Sequence, residues 1–261
     1  MLRPRVSPCL LLRNGGLVKT CQFKDEKYVG DPINAVKIFN EKSVDELIIL
    51  DIDATALGKE PNYNLIEKLA NESRMPLCYG GGIKNVLQAE RIIQLGVEKV
   101  TLSSAIIERP ELISELSETL GSQSVVGVLD FKKSLFNRYE AYICNGKKKV
   151  GGSLLHWLKK FQDFGVGEIL FNAVERDGMQ NGYDLSLAKL VSDHLTVPST
   201  YLGGASSLTD IGKLVESVGV VGCSAGSLFV FKGKYRAVLI SYPSFDEKHA
   251  LLNSHFGRYE K

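Results

Sequence analysis

Pro76-Leu77-Cys78-Tyr79-Gly80-Gly81-Gly82-Ile83 and Pro198-Ser199-Thr200-Tyr201-Leu202-Gly203-Gly204-Ala205 are one passage written twice, 122 residues apart. Each is a proline, a short strand-like run and a Gly-Gly turn. Val44-Asp45-Glu46-Leu47 returns as Val166-Gly167-Glu168-Ile169 at the same spacing, and Gly96 to Ser104 returns as Gly219 to Ser227 at 123. A spacing held over three separate passages marks a duplicated unit. Around these passages short apolar runs alternate with helix-length amphipathic segments. Strands are expected at residues 5–12, 46–52, 76–79, 99–102, 125–129, 168–171, 198–201 and 220–223. They are rich in Val, Ile, Leu and Cys, with little alternation, as in parallel strands covered on both faces. Asp31-Pro32 opens a helix, with Asp as N-cap and Pro at the first position. Further helices are expected at 62–70, 85–95, 110–120, 153–164, 185–193 and 208–217, with Gly96, Gly121, Gly165 and Gly219 just past helix ends. Eight strand–helix units fit a (β/α)8 barrel or a doubly wound sheet, and the two four-strand repeats decide for the α/β TIM barrel. Closing the ring joins the halves, so residues 1–261 are read as one domain, with 244–261 a partly ordered tail.

The chain has 261 residues, 44% hydrophobic and 24% charged, enough for one substantial core. Lys and Arg number 32 against 30 Asp and Glu, a formal net charge of +2. A nucleic-acid binder carries a basic excess or stripe. Here the one short basic run, Lys147-Lys148-Lys149, reads as a solvated loop. No apolar stretch approaches the roughly 18 residues of a membrane span. The run from Cys9 to Leu12 is too short for a signal peptide, is interrupted by Arg13, and reads as a buried strand. Five cysteines form no CxxC pair, and no His and Cys fall at ligand spacing, so no metal is expected. Cys9, Cys78 and Cys223 read as buried thiols, and the odd count suits a reducing cytoplasm.

Chemistry in such a barrel gathers at the C-terminal strand ends. There the sequence places Gly81-Gly82, Ser103-Ser104, Asp177-Gly178, Gly203-Gly204 and Gly226-Ser227. A phosphate needs converging backbone N–H groups, and glycine lets the chain approach closely. Glycine loops paired with hydroxyl loops, repeated once, predict two opposed phosphate sites and a long ligand phosphorylated at each end. Acid–base candidates are Asp51, Asp53, Asp130, Glu175 and Asp177. The histidines His156, His194, His249 and His255 fall in helices or the tail, and no serine triad is visible. The opposite strand ends begin with Arg5, Glu46, Lys99 and Glu168. They either point outward to solvent or form a closed ring of salt bridges, a polar gate at the barrel floor.

These residues together resemble the HisF family, the cyclase subunit of imidazole glycerol phosphate synthase, over about residues 1–232. The resemblance rests on Pro8-Cys9-Leu10, Gly30-Asp31-Pro32, Asp45-Glu46-Leu47, Leu50-Asp51-Ile52, Gly80-Gly81-Gly82-Ile83, Gly121-Ser122-Gln123, Arg176-Asp177-Gly178, Gly182-Tyr183-Asp184 and Gly203-Gly204-Ala205. It implies a barrel that pairs with a glutaminase (HisH-like) subunit at its N-terminal face. Ammonia from that partner passes through the interior and meets the bisphosphorylated substrate PRFAR at the top, giving imidazole glycerol phosphate and an aminoimidazole ribotide (AICAR). No cofactor is implied. By position, Arg5, Glu46, Lys99 and Glu168 match the family's gate. Asp51, Gly81, Gly82, Ser103, Ser104, Asp177, Gly178, Gly203, Gly204, Gly226 and Ser227 match substrate and phosphate contacts. Lys19 matches a lysine on a flexible substrate loop, residues 15–30. Gln123, and Glu98 in place of the usual Asp, match positions that couple to the partner.

One departure outweighs these matches. The family's two acid–base aspartates end the first and fifth strands; Asp130 supplies one, and Leu11 stands at the other. Loss of one such group typically costs on the order of 10²–10⁴ in rate. Asn172 replaces a common threonine, and Gln180 the usual lysine after Asp-Gly. The Leu11 segment and the stretch from Gly226 to Pro243 are similar to the WbuZ group, HisF-like paralogues of surface-polysaccharide (lipopolysaccharide, O-antigen) pathways. Those work with a glutaminase and a separate sugar amidotransferase that turns an acetamido group of a nucleotide sugar into an acetamidino group. Three expectations follow: ammonia supply for sugar amidation, the histidine-pathway cyclase, or a non-catalytic conduit that activates the glutaminase.

Overall fold

Eight parallel strands close on themselves: Arg5–Arg13, Leu47–Asp51, Leu77–Gly80, Lys99–Leu102, Val125–Lys133, Glu168–Ala173, Ser199–Leu202 and Gly222–Ala225. Each pairs with the next, and the last pairs with the first, so the ring has no edge. This computed structural model describes residues 3–134, 136 and 138–256. Helices alternate with the strands around the outside, a (β/α)8 barrel as the repeats predict. Side chains alternate along each strand. One set (Leu47, Ile49, Tyr79, Phe171) packs outward beneath the helices. The other (Cys9, Ile48, Cys78, Val126, Leu170) fills the barrel.

The duplication holds residue by residue. Leu11 pairs with Leu50, as Asp130 pairs with Asn172. Leu50 pairs with Gly80, as Asn172 pairs with Leu202, and Gly80 with Thr101, as Leu202 with Ser224. Helix starts are fixed as their residues dictate: Asp31, Asn62, Asn85, Ser153, Asp184 and Ser207 each accept a backbone N–H from the first turn.

Four segments differ from expectation. Residues 15–30 are not an irregular loop but an antiparallel hairpin, Gly16–Cys21 with Lys24–Gly30. Its turn uses Gln22 and Phe23 at positive φ, residue types that give no turn signal. The fifth strand runs on to Lys133 and begins a second hairpin, Tyr139–Ile143 with Lys148–Ser153, so Lys148 and Lys149 lie in a strand and Lys149 pairs with Glu140. In the C-terminal stretch, Phe245–Phe256 forms a helix beside Leu208–Val218. Lys248 reaches Asp45 at 2.6 Å and the Tyr242 hydroxyl donates to the Val6 carbonyl at 2.8 Å, tying this helix to the first strands. Residues 257–261, the end of the expected tail, lie outside the described residues. The eighth strand begins at Gly222 rather than 220, because Val220 is exposed in the turn after Gly219.

The register makes a checkable demand. A Cβ on Gly80 would sit 1.9 Å from Thr101 Oγ1 and 3.0 Å from Leu50 Cδ2, whereas one on Gly151 meets nothing within 4 Å. Gly80→Ala is expected to cost about 1–3 kcal/mol, and Gly151→Ala less than about 0.5 kcal/mol. Urea denaturation of the two variants reads the difference; equal losses would contradict the assigned pairing.

Candidate functional site

The barrel is polar at both ends and apolar between. At the floor, Lys99 Nζ donates to Glu46 Oε1 at 2.8 Å and to Glu168 Oε2 at 2.9 Å. Arg5 Nη2 donates to Glu168 Oε1 at 2.5 Å, and Nη1 lies 3.9 Å from Glu46 Oε2. The hydroxyls of Ser7 and Thr200 donate to the same carboxylates at 3.2 and 2.6 Å. The four charges, from four strand starts, therefore turn inward as one closed ring, two cations balancing two anions. Glu46, Lys99 and Glu168 are buried, and Arg5 closes the ring from its half-exposed side. Burial alone would lower the Lys99 pKa, but the two glutamates raise it overall. Burial would likewise raise Glu168, but Arg5 and Lys99 hold it below the usual carboxylate range. Glu98 and Gln123 are exposed on the floor rim, beside the starts of the fourth and fifth strands.

Above the ring lie Cys78, Cys9, Val126, Val128 and Leu170. Burial pushes the Cys9 thiol up to about 11, so it stays neutral. At the top an open cavity of about 1070 Å³, counted out to solvent, is lined by Leu11, Lys19, Asp51, Asp130, Asn172 and Asp177 together with Gly81-Gly82 and Ser103-Ser104. A smaller recess of about 260 Å³ adjoins it through Asp177 and Leu202, lined by Gly178, Gly203-Gly204 and Gly226-Ser227. The two glycine–hydroxyl loop pairs thus fall on separate sides of one mouth. Gly81 needs its missing side chain: a Cβ there would lie 2.3 Å from the Asp51 carbonyl, and Gly203 stands likewise against Ala173, at 2.8 Å. The nests are not identical. Gly82 N donates to Thr55 Oγ1 at 3.2 Å, Ser103 Oγ donates to Asp130 at 3.4 Å, and Ser104 Oγ accepts from Cys144 N.

Asp130 is 8% exposed and accepts from Asn172 Nδ2 at 2.8 Å. Burial pushes its carboxyl up to about 6, against the Asn172 and Ser103 hydrogen bonds that pull it down. That value suits a group that gives and takes protons near neutrality. The duplicated position holds Leu11, buried beside half-buried Leu50, and offers no proton. Asp51 spends one oxygen on Asp53 N and Ala54 N, both at 3.0 Å. Asp177 accepts from Thr20 Oγ1 at 2.5 Å and from Phe23 N at 3.2 Å, so it holds the first hairpin across the mouth. Lys19, on that hairpin, is 4% exposed with Nζ against Gly226.

Sequence reasoning missed Thr20 and the latch it makes. It also missed Asn145, whose side chain donates to the Ile52 carbonyl at 2.9 Å and brings the second hairpin to the rim. The Asn145-Gly146 dipeptide was the available signal.

The family described as "Histidine biosynthesis protein" matches residues 5–236. A protein of Leptospira interrogans, provisionally named imidazole glycerol phosphate synthase subunit HisF, is 56% identical over 96% of this chain and 99% of its own length. A Pseudomonas aeruginosa protein, provisionally named as the same synthase's subunit hisF2, is 50% identical over 95% and 98%. Imidazole glycerol phosphate synthase subunit HisF of Streptococcus sanguinis is 35% identical over 88% and 91%.

The raised Asp130 pKa has a sign. Its neutral form is favoured on folding, so this contribution is complete below its ordinary 3.8 and is lost as pH rises through about 6. Asp130→Asn, neutral throughout, is expected to be more stable than the parent at pH 7.5 by about 3 kcal/mol, the gap closing at pH 4. Urea unfolding at both pH values checks this; equal stability at pH 7.5 would mean that the carboxyl is not so strained.

Proposed function

We propose that this chain, which belongs to the HisF family of imidazole glycerol phosphate synthase subunits, is the synthase-side barrel of a glutamine-dependent amidotransferase that supplies ammonia for amidation of a nucleotide sugar in surface-polysaccharide synthesis. Ammonia released by a glutaminase docked at the floor enters at the ring of Arg5, Glu46, Lys99 and Glu168. It rises through the apolar interior, which keeps it neutral, and is delivered at a mouth that holds a phosphorylated ligand. Glu98 and Gln123 on the floor rim couple the partner to the mouth. Lys19, Asp51, Asp177 and Gly178 position the ligand, its phosphates held at Gly81-Gly82 with Ser103-Ser104 and at Gly203-Gly204 with Gly226-Ser227. A separate sugar amidotransferase draws on this complex to convert acetamido to acetamidino.

The observation that carries the reading is the pairing of Leu11 with Leu50 where the other half pairs Asp130 with Asn172. At this position the fifth strand keeps a carboxyl and the first strand has leucine. A second reading, the cyclase that converts PRFAR and ammonia to imidazole glycerol phosphate and AICAR, draws on Asp130 and both glycine–hydroxyl loop pairs. A third, a conduit without chemistry, draws on the ring and the apolar interior alone.

The deciding assay mixes the purified chain with PRFAR and excess ammonium salt and follows imidazole glycerol phosphate. No turnover is expected, with PRFAR still bound; Leu11→Asp is expected to gain cyclase activity. Clear turnover by the unmodified chain would make it the histidine-pathway enzyme. In the complex with its glutaminase and acceptor enzyme, Asp130→Asn is expected to lower output at least tenfold, and unchanged output would favour the conduit. Removing one partner from a buried charge cluster is disruptive. Lys99→Ala is therefore expected to let glutamine hydrolysis run ahead of product, and tight coupling in that variant would contradict the gate.

A further inference from the structure

Lys19 and Arg236 reach Gly226 and Ser227, and Lys27 lies beside Arg236. Lys19 is 4% exposed, and a Cβ on Gly226 would fall 2.0 Å from its Nζ. Arg236 comes from the small hairpin Phe231–Lys232 with Ala237–Val238, and its guanidinium lies 4.7 Å over the Phe231 ring. Lys27 lies 5.2 Å from the same ring and donates to the Arg236 carbonyl at 2.8 Å. Among the described residues none of the three makes an ion pair. Asp177, which lines the recess at Gly226-Ser227, accepts from Thr20 and Phe23. Only Lys19 is buried, Arg236 being half-buried and Lys27 exposed, so the call for an anion from outside the chain rests on Lys19 and on the unpaired edge of the Arg236 guanidinium.

The guanidinium shows how that anion is held. Stacking on Phe231 accounts for the face of Arg236 but not for its edge. Nη2 reaches Ser227 Oγ at 3.4 Å, a long contact, and Nε is buried with no hydrogen-bond partner among the described residues. Nε and Nη2 form the side-on fork that matches two oxygens of one phosphate. The other nest has no such fork. Arg13, on its rim, is spent on Asp53 and Glu26.

We propose that Arg236 is a specificity-determining residue of this chain. It grips, through Nε and Nη2, the phosphate seated at Gly203-Gly204 and Gly226-Ser227, and the hairpin from Phe231 to Val238 is the clasp that carries it there. This rests on reading those loops as a phosphate site. The ligand end bound here is a phosphate with two free oxygens for the fork, more tightly held than the phosphate at Gly81-Gly82.

The test is a titration of the labelled full chain with inorganic phosphate at fixed ionic strength, followed separately at the amide signals of Gly82 and Gly204. In the unmodified chain both signals are expected to move, Gly204 at lower phosphate. Arg236→Gln is expected to raise the Kd read at Gly204 roughly tenfold while leaving Gly82 unchanged. Arg236→Lys, which restores charge but not the fork, is expected to recover only a minor part. An unchanged Gly204 titration in Arg236→Gln, or full recovery in Arg236→Lys, would overturn the bidentate grip while leaving the phosphate site standing. A Gly204 signal that never moves in the unmodified chain, up to tens of millimolar phosphate, would overturn the site and the grip together.

Discussion

Lys99 sits between Glu46 and Glu168, and that contact constrains the rest of the barrel. It joins the second, fourth and sixth strands at one point, and Arg5 adds the first. A slip of one residue in any of these strands would turn its charge to the other face. The ring therefore fixes register as well as charge. It is an expensive way to do so. Buried ion clusters are often no more stable than apolar packing of the same volume, and sometimes less. Val126 and Leu170 nearby show that this barrel packs apolar residues readily. Stability alone does not explain two glutamates, a lysine and an arginine at its base.

Duplication gives the molecule two equivalent walls, and the chemistry comes from where they diverge. Backbone pairing is the same at Leu11–Leu50 and Asp130–Asn172, so only side chains differ. On one wall a carboxyl, lifted to about 6 by burial, is steadied by Asn172 and Ser103. On the other, leucine meets leucine. A symmetric pair would pass a proton across the mouth from one side to the other. The two walls therefore differ in charge and polarity at this one position, while Asp51 and Lys19 still line the same cavity.

Most of the fold was legible because its signals are local or repeated. Prolines, Gly-Gly turns and helix caps recur at fixed spacing, and the strands fall within two residues of their expected bounds except the fifth, which runs four residues further to Lys133. The first hairpin was not legible, since Gln22 and Phe23 turn the chain without glycine or asparagine. Nor was the C-terminal helix: its polar sequence carries little apolar periodicity, and contacts far back in the chain, Lys248 with Asp45 and Tyr242 with Val6, tie it down. The site divides in the same way. Charges at strand starts and glycines at strand ends announce themselves. Arg236 does not, because its meaning lies in a contact with Ser227 and in a buried Nε without a partner, neither of which a linear pattern records.

Asp177 shows how such long-range contacts change a residue's role. As a bare carboxylate beside a glycine nest it would repel a phosphate. Its oxygen instead accepts from Thr20 and Phe23 N, while its carbonyl accepts from Gln22 N at 2.8 Å and Gln22 Nε2 donates to the Glu175 carbonyl. A hairpin that leaves the first strand is thereby fastened to the loop after the sixth, across the divide between the halves. The same fastening carries Lys19 to Gly226. Asp177 thus helps, through the hairpin, to set a buried lysine beside Gly226. The first hairpin and the loop after the sixth strand are in this sense one unit, joined by residues 157 positions apart in sequence.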